Sequence, residues 1–324
     1  RFLRERDELV SVTESDPVAV WNHPGWWIAR LKKDHPQDWQ AILAANNDQP
    51  PMTLRVNTQK CTPAQYQSAL VAMNLNAKAV AESGLQLEHA APVHELPHFE
   101  EGWASVQDGA AQAAAPLLLD GMVLPEGRPL RVLDACAAPG GKTAHLLEHA
   151  APGSIEVTAL EIDPERARRI GETLARLGLQ AKVVVADASK PQDWFESQCG
   201  GLPFDAILLD APCTASGIVR RQPDVRWLRR ESDVAQLATI QSKLLDTLWP
   251  LLQPGGRMVY CTCSVFKSEG DVQMQAFLMR NTTVTSLPAP GHLLPGNSAK
   301  DGSVSDNPLG DHDGFFYALL EKSR

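Results

Sequence analysis

The stretch that decides the fold is "LRVLDACAAPGGKTAHLL", residues 130–147. It opens on an apolar run, passes through small residues and two adjacent glycines, and continues with apolar residues at helical spacing. A strand that is apolar on both faces and runs straight into a helix belongs to a parallel sheet covered on both sides. The unit repeats downstream. "IEVTALEID" (155–163), "AKVVVADA" (181–188), "FDAILLDAPC" (204–213) and "GRMVYCTCSV" (256–265) read as four further strands. Between them, "PERARRIGETLARLG" (164–178) has Pro in its first turn and ends at Gly, as helices do. "ESDVAQLATIQSKLLDTLWPLL" (231–252) is a long amphipathic helix, "SEGDVQMQAFLMRN" (268–281) another helix, and "GFFYALLEK" (314–322) a last strand. The Pro, Gly, Asn and Ser content of 282–313 predicts a mobile loop.

Upstream the pattern changes. "PQDWQAILAANN" (36–47) reads as a helix, "MTLRVN" (52–57) as a strand and "TPAQYQSALVAMN" (62–74) as a helix. Shorter strands are expected between 78 and 107, and "DGAAQAAAPLLL" (108–119) as a helix leading into the larger unit. With 324 residues, the chain can bury one large domain and one smaller one.

Composition excludes several classes. Hydrophobic residues make up 44% and charged residues 21%, and no apolar run reaches the roughly 18 residues of a membrane span. "RFLRERDELV" (1–10) alternates in charge and lacks the apolar core of a signal peptide. It reads as the middle of a charged helix, and the start at Arg1 predicts that upstream sequence precedes it. Six scattered cysteines with no secretion signal and no C-x2-C spacing point to reduced thiols, a cytoplasmic protein and no metal site. The net charge of −9 by itself argues against a nucleic-acid partner. Against it stands "VRRQPDVRWLRR" (219–230), with Arg220, Arg221, Arg226, Arg229 and Arg230 around one Asp and one Trp. Such a run, taken alone, is a solvated helix face.

In an open parallel sheet, ligands bind beyond the carboxyl ends of the strands. The loop after the first strand, Cys136, Ala137, Ala138, Pro139, Gly140, Gly141 and Lys142, is small enough for backbone N–H groups to approach a ligand. "GGKT" resembles the end of a P-loop, but the position of that motif's first Gly is taken by Cys136. The second strand ends in Glu161 and Asp163, about 20 residues on, where an acid suits a ribose diol. The third ends in Asp187, placed for an adenine amino group. These three acids read either as strand-end caps or as the wall of an adenosine site without a pyrophosphate, which suits S-adenosylmethionine.

The fourth strand ends at Asp210 and Cys213, the fifth at Cys261 and Cys263. A cysteine is most often a small buried hydrophobe, and Cys61, Cys199 and Cys136 keep that reading. "DACAAPGGKT" (134–143), "DAPCTASG" (210–217) and "YCTCS" (260–264), in this order, resemble the RNA 5-methylcytosine methyltransferases (the Nop2/Sun/Fmu group). The resemblance covers nearly the whole chain. "PPMTLRVN" (50–57), "WASVQDGAAQ" (103–112), the arginine run and "DGFFYALL" (313–320) resemble its bacterial subgroup acting on 16S ribosomal RNA. The pairing of the two cysteine motifs is specific; "DAP" alone is not.

The resemblance implies an α/β fold. A Rossmann-like class I methyltransferase sheet, mostly parallel with an antiparallel last strand, is expected over 121–324. A small α+β RNA-recognition-like domain is expected over 23–120, and 1–22 would be the last helix of a NusB-like domain. S-adenosylmethionine is the implied cofactor, with the 136–142 loop, Glu161, Asp163, Asp187 and Asp210 as its contacts. Cys263 is the implied nucleophile, adding to C6 of cytosine, and Cys213 serves the release step. Asp210 would hold the base edge, while Lys142 could serve cofactor or base. The implied substrate is 16S ribosomal RNA, at cytosine 967, in an unstacked loop or bulge that exposes C6. Following Cys213, the arginines at 220, 221, 226, 229 and 230 become candidates for phosphate contacts, with Arg55 and Asn57 as weaker ones. A monomer is expected. Cys261 is expected to pack, replaceable by Ser.

Three alternatives remain open at this point. A DNA cytosine-5 methyltransferase would use the Cys of "APC" (211–213) as nucleophile and leave "TCS" unexplained. An assembly factor without catalysis would bind RNA alone. A cytosine-5 methyltransferase for transfer RNA, or for another ribosomal site, would carry the same catalytic motifs.

Overall fold

The computed structural model describes residues 2–296 and 309–323. Four helices open the chain: α1 (Phe2–Thr13), α2 (Pro17–Trp21), α3 (Gly25–Asp34) and α4 (Trp39–Ala45). On α3, Trp27, Ile28 and Leu31 share one face and are fully or almost fully buried. Their partners are Val219, Val234, Val265 and Phe266, far along the chain. His35 Nε2 donates to the Val265 carbonyl at 2.7 Å, and Lys267 N donates to Asp34 Oδ2 at 3.1 Å. These helices therefore brace the segment that follows Cys263, and they do so from outside the small sheet.

That sheet holds β1 (Thr53–Val56), β2 (Ala77–Val80), β3 (Gly84–Leu87) and β4 (Ala104–Val106) in the order β2-β3-β1-β4, all antiparallel. Helix α5 (Pro63–Ala72) lies between β1 and β2 in sequence. Thr62 and Gln65 form a capping box at its start, and Pro63 takes the first turn, where a missing N–H costs nothing. Tyr66 and Leu70 bury the helix against Leu54, Val56 and Leu85. A 3-10 turn (Ala110–Ala113) and α6 (Ala114–Leu119) lead to the large sheet, so the predicted single helix over 108–119 is split in two.

The large sheet is built from β5 (Leu130–Ala135), β6 (Ile155–Glu161), β7 (Lys182–Val185), β8 (Phe204–Asp210), β9 (Leu252–Thr262), β10 (Val284–Leu293) and β11 (Phe315–Lys322). Its order is β10-β11-β9-β8-β5-β6-β7. Only β11 runs against the others, pairing antiparallel with both β9 and β10. Helices α7 (Gly141–His149), α8 (Pro164–Leu177), α9 (Phe195–Cys199), α10 (Val225–Leu228), α11 (Glu231–Leu248) and α12 (Asp271–Arg280) complete the unit. One core layer, with Leu133, Ile207, Met258 and Phe277, fills one face of the sheet; a second, with Val132, Leu208, Val259 and Tyr317, fills the other.

Strand β10 corrects the expected loop over 282–313; the part of that reading over 297–308 lies outside the described residues. "VTSLPAPGHL" carries two prolines and a glycine, which speak against a strand. It survives because it pairs on one side only, with β11, and its register shifts between Leu287 and Gly291. An edge strand with an irregularity tolerates Pro, whose missing N–H can face away from the ladder.

After β5 the chain steps outward through β6 and β7, then returns to the other side of β5 as β8. Connections leave β5 and β8 in opposite directions, and a crevice opens between their carboxyl ends.

Candidate active site

Cys136, the first residue after β5, has a left-handed backbone (φ 64°), unusual for a residue with a side chain. Two residues beyond, the Ala138–Pro139 peptide is cis. Gly140 (φ 97°) opens α7, and a Cβ there would come within 3.1 Å of Ile170 Cα, so only glycine fits both torsion and space. These turns place Lys142 in the first turn of α7, facing the end of β8. Its Nζ donates to Asp210 Oδ2 at 2.6 Å. Burial disfavours the Lys142 charge, but Asp210 and the thiols of Cys261 and Cys263 more than offset this, leaving its pKa above the usual lysine range. Cys261, fully buried on β9, donates its S–H to the other oxygen, Asp210 Oδ1, at 3.5 Å. Cys261 thus packs, as expected, and also helps orient Asp210.

Strand β9 ends at Thr262, so Cys263 already lies outside the ladder and can turn toward the β8 loop. There it meets Cys213, with the two Sγ atoms 3.4 Å apart. The β8 loop is held by main chain: Ala211 N donates to the Cys261 carbonyl and Gly217 N to the Cys263 carbonyl, both at 2.9 Å. At Gly217 a Cβ would fall 2.0 Å from the Gly314 carbonyl oxygen, so the loop closes on "DG" before β11 only with hydrogen at that position. Cys213 is pushed well above the usual thiol range, first by its hydrogen bond to Cys263, then by burial and the nearby charges of Cys263 and Glu269. The two thiols share one hydrogen bond, in which either sulfur can be the donor.

A cavity of about 460 Å³ runs from the two thiols to the ends of β6 and β7. Its wall holds Cys136, Glu161, Ile162, Asp187, Ala188, Asp210, Pro212, Cys213 and Cys263. The donor set fits an adenosine group: carboxylates at 161 and 187 for a diol and an amino group, with Ile162, Ala188 and Pro212 as apolar walls. Glu161 is almost fully buried, with Arg166 Nη1 3.6 Å away. Despite partial burial, Asp187 is held below the usual carboxylate range by hydrogen bonds from Ser189 and by Lys190. Cys136 is pushed up to about 12 by burial and by the charges of Asp210 and Glu161, which suits a packing thiol. A larger cavity, about 750 Å³, lies between α7 and the small sheet; it is lined by Leu117, Leu287 and Leu319 and contains neither thiol.

Several expected contacts lie elsewhere. Asp163 does not reach the cavity: its Oδ1 accepts from the N–H groups of Glu165 and Arg166 and caps α8. Within the 136–142 loop, only Cys136 lines the cavity. Ala137, Ala138, Pro139, Gly140 and Gly141 shape the turn that delivers Lys142. The arginine run is mostly turned inward. Arg220, its side chain 1% exposed, donates to Asp313 at 2.7 Å and Asp311 at 2.9 Å. Arg221 pairs with Asp313 and with Asp108, the latter at 2.9 Å. Buried Arg226 donates to Asn47 Oδ1 at 2.6 Å and to the Asn22 carbonyl. Arg55 is fully buried against Glu148 at 2.8 Å and reaches the Gly141 carbonyl, and buried Asn57 donates to the Gly102 carbonyl. Arg55, Asn57, Arg220 and Arg226 are buried and present no free face to a phosphate, while Arg221 stays partly exposed with its guanidinium paired to two acids. Arg229 donates to the carbonyls of Cys213 and Thr214, bracing the loop, and only Arg230 has an exposed side chain.

Three buried polar groups are assigned no role by the sequence: Asp134, near Lys142 and Asp210, and Gln241 and Glu269, behind the thiols. Asp134 is fully buried at the end of β5, accepts from Thr143 Oγ1 at 2.5 Å, and is raised to about 7 by burial. It opens the "DACAAPGGKT" motif, yet nothing in the sequence assigns it a role. Gln241 lies within a helix and Glu269 in "KSEGD", with no motif to single them out.

The sequence model of a family described as "16S rRNA methyltransferase RsmB/F" matches residues 122–321, and one described as "Methyltr_RsmF/B-like, ferredoxin-like domain" matches residues 23–94. "Ribosomal RNA small subunit methyltransferase B" of Vibrio cholerae is 44% identical over 99% of this chain and 70% of its own length. The protein of that name from Citrobacter koseri is 43% identical, over 99% of this chain and 71% of its own. Among solved structures, PH0851 superposes with a TM-score of 0.77 at 30% identity, covering 93% of this chain and 66% of that one. A methyltransferase homolog from Pyrococcus horikoshii shares the fold, with a TM-score of 0.68 at 24% identity over 92% of this chain and 99% of its own.

Proposed function

The chain belongs to the RsmB/F family of 16S rRNA methyltransferases, and from that premise we propose that it methylates C5 of a cytosine in 16S ribosomal RNA through a covalent cysteine adduct. The enzyme is an S-adenosylmethionine-dependent RNA methyltransferase. The observation that carries the reading is the pair of thiols 3.4 Å apart, near the Lys142–Asp210 pair and at one end of a cavity of about 460 Å³ that also holds Glu161 and Asp187.

C5 of cytosine is a poor nucleophile. Attack of the Cys263 sulfur on C6 forms an S–C6 bond, shifts the C5=C6 pair toward C5, and is balanced by a proton taken up at N3. Asp210 is the group to hold that edge of the base, accepting from N3–H and the amino group, while Lys142 and Cys261 fix its two oxygens. Bound S-adenosylmethionine supplies an electrophilic methyl group on a sulfonium. Release then needs the C5 proton to leave, the S–C6 bond to break, the C5=C6 bond to return and N3 to give up its proton. Cys213 is suited to this step by a change in its surroundings. In the free enzyme its largest upward push is the hydrogen bond to Cys263. Once Cys263 is bonded to C6, that hydrogen bond between two thiols is gone, so Cys213 can lose its proton to solvent and accept the one from C5.

For the RNA itself we propose exposed Arg230 as a phosphate contact, with Trp227, 51% exposed on the same short segment, as a platform for an unstacked base. Residues 23–120 would dock RNA, residues 1–22 would end a preceding helical domain, and the enzyme would act in the cytoplasm. No helix among the described residues is long and apolar enough to cross a membrane.

Separate alanine variants test the assignment of the thiols. Cys263→Ala is expected to lose both methylation and the covalent RNA adduct, and Cys213→Ala to accumulate that adduct on denaturing gels. The reverse pattern would make Cys213 the nucleophile and overturn the assignment. Bisulfite sequencing of ribosomal RNA from cells lacking the gene is expected to show loss of protection at cytosine 967; loss at another site, or in transfer RNA, would reassign the substrate.

A further inference from the structure

Behind the two thiols lies a carboxylate with no part in the steps above. Glu269 is 0% exposed. Its Oε1 accepts from Thr214 N at 2.9 Å and from Gln241 Nε2 at 3.0 Å. Its Oε2 accepts from Thr214 Oγ1 at 2.5 Å and Ser264 Oγ at 2.6 Å. Thr214 directly follows Cys213, and Ser264 directly follows Cys263. One side chain therefore grips the residue after each thiol.

The surrounding bonds extend the grip. Gln241 also donates to the carbonyl of Pro212, the residue before Cys213, at 2.9 Å. The Glu269 carbonyl accepts from Tyr260 Oη at 2.8 Å, tying the same residue to β9. Ser216 Oγ and Ser264 Oγ are 2.8 Å apart, and Val265 N donates to Ser216 Oγ at 3.0 Å, joining the two loops a second time. All four donors to the carboxylate are neutral. Burying a carboxylate without a cation is costly, and apolar packing would serve stability as well or better. What the carboxylate provides is reach: two oxygens, four donors, two loops.

We propose that Glu269 is a positioning residue for methyl transfer, its buried carboxylate setting the contact between the Cys213 and Cys263 thiols by anchoring both loops at once. The role rests on the cysteine mechanism proposed above, but the spacing of the thiols can be measured without RNA. A misplacement of about 1 Å at reacting groups can cost about 100-fold in rate. Glu269 also adds to the charges that keep Cys213 protonated, behind Cys263 and burial.

Two variants test it. Glu269→Asp keeps the charge but is one methylene too short to reach both loops, and Thr214→Val removes a donor with little change of volume. Purified protein is treated with diamide, which takes two electrons and two protons from a thiol pair to leave a disulfide and the reduced hydrazine, and the Cys213–Cys263 disulfide is followed by mass spectrometry. Pairing is expected to slow at least about 10-fold in Glu269→Asp and severalfold in Thr214→Val. With unmodified 16S ribosomal RNA, kcat is expected to fall about 100-fold in Glu269→Asp, with KM for S-adenosylmethionine within about twofold of the parent. Wild-type rates of disulfide formation in both variants would overturn the proposal. So would a parallel loss of cofactor affinity and thiol pairing, the mark of general unfolding; if Glu269→Asp does not fold, the Thr214→Val rate decides alone. Slower pairing in an enzyme that proves to methylate no cytosine would leave the anchor standing and sink the cysteine mechanism instead.

Discussion

The crevice at the strand ends and the arginine run at 219–230 lie side by side, and both are rich in groups that can contact a substrate. In the crevice, the side chains stand together at the strand ends, where the sequence places them. Cys213 meets Cys263 and Lys142 meets Asp210, each pair within hydrogen-bond reach. In the run, Arg220, Arg221 and Arg226 are consumed by acids and carbonyls from distant parts of the chain. The difference lies in what fixes the partner. Strand ends are aligned by the ladder, so residues there meet whatever ends the neighbouring strand. A surface-type arginine meets what tertiary packing brings against it, and here that is Asp108, Asp311 and Asp313.

The strongest way to break this contrast is to empty the acid side of the run. Asp313→Ala removes the shared partner of Arg220 and Arg221 and leaves Arg220 buried with only Asp311. The expected loss is about 3–5 kcal/mol in urea unfolding, the range for stranding a buried charge. A loss below about 1 kcal/mol would show that the run is solvated after all.

Next in size is a test of the crevice. Asp134 is raised to about 7 by burial, from a usual value of 3.8. The folded state therefore holds a proton that the unfolded state has released, and stability falls as pH rises across that window. The contribution is fully present below the unfolded value and gone above the folded one, and over about 3 pKa units it amounts to some 4 kcal/mol at most. Asp134→Asn cannot ionise, so the difference in unfolding free energy between variant and parent should grow in the variant's favour from about pH 4 to 7. A constant difference would mean that Asp134 ionises freely.

The smallest effect separates the one exposed arginine from the buried ones. Arg230→Ala is expected to reduce the slope of log affinity for 16S ribosomal RNA against log salt by about one ion. Arg220→Met should leave that slope unchanged. A drop in slope for both would return the buried arginines to the RNA interface.

Much of the methyltransferase unit was legible because burial writes itself into continuous apolar strands. Leu130–Ala135, Ile155–Glu161 and Phe204–Asp210 stand where the apolar runs predicted them. Val284–Leu293 was not legible, since its two prolines are tolerated only at a sheet edge that the sequence does not mark. Helix α3 went unread for another reason: its apolar face completes a cluster with Val265 and Phe266, more than 200 residues away.

From the chain alone came the parallel sheet, the ligand side of that sheet, the strand-end acids at 161 and 187 and the two cysteine motifs, because each depends on local periodicity or on a residue's place at a strand end. Tertiary structure alone decided which groups pair. It turned Asp163 into a helix cap, buried Arg55 and Arg220 in ion pairs, and set the thiols 3.4 Å apart over the carboxylate of Glu269. Hydrogen bonds and ion pairs act over a few ångströms in space, and separation along the chain carries no record of that distance.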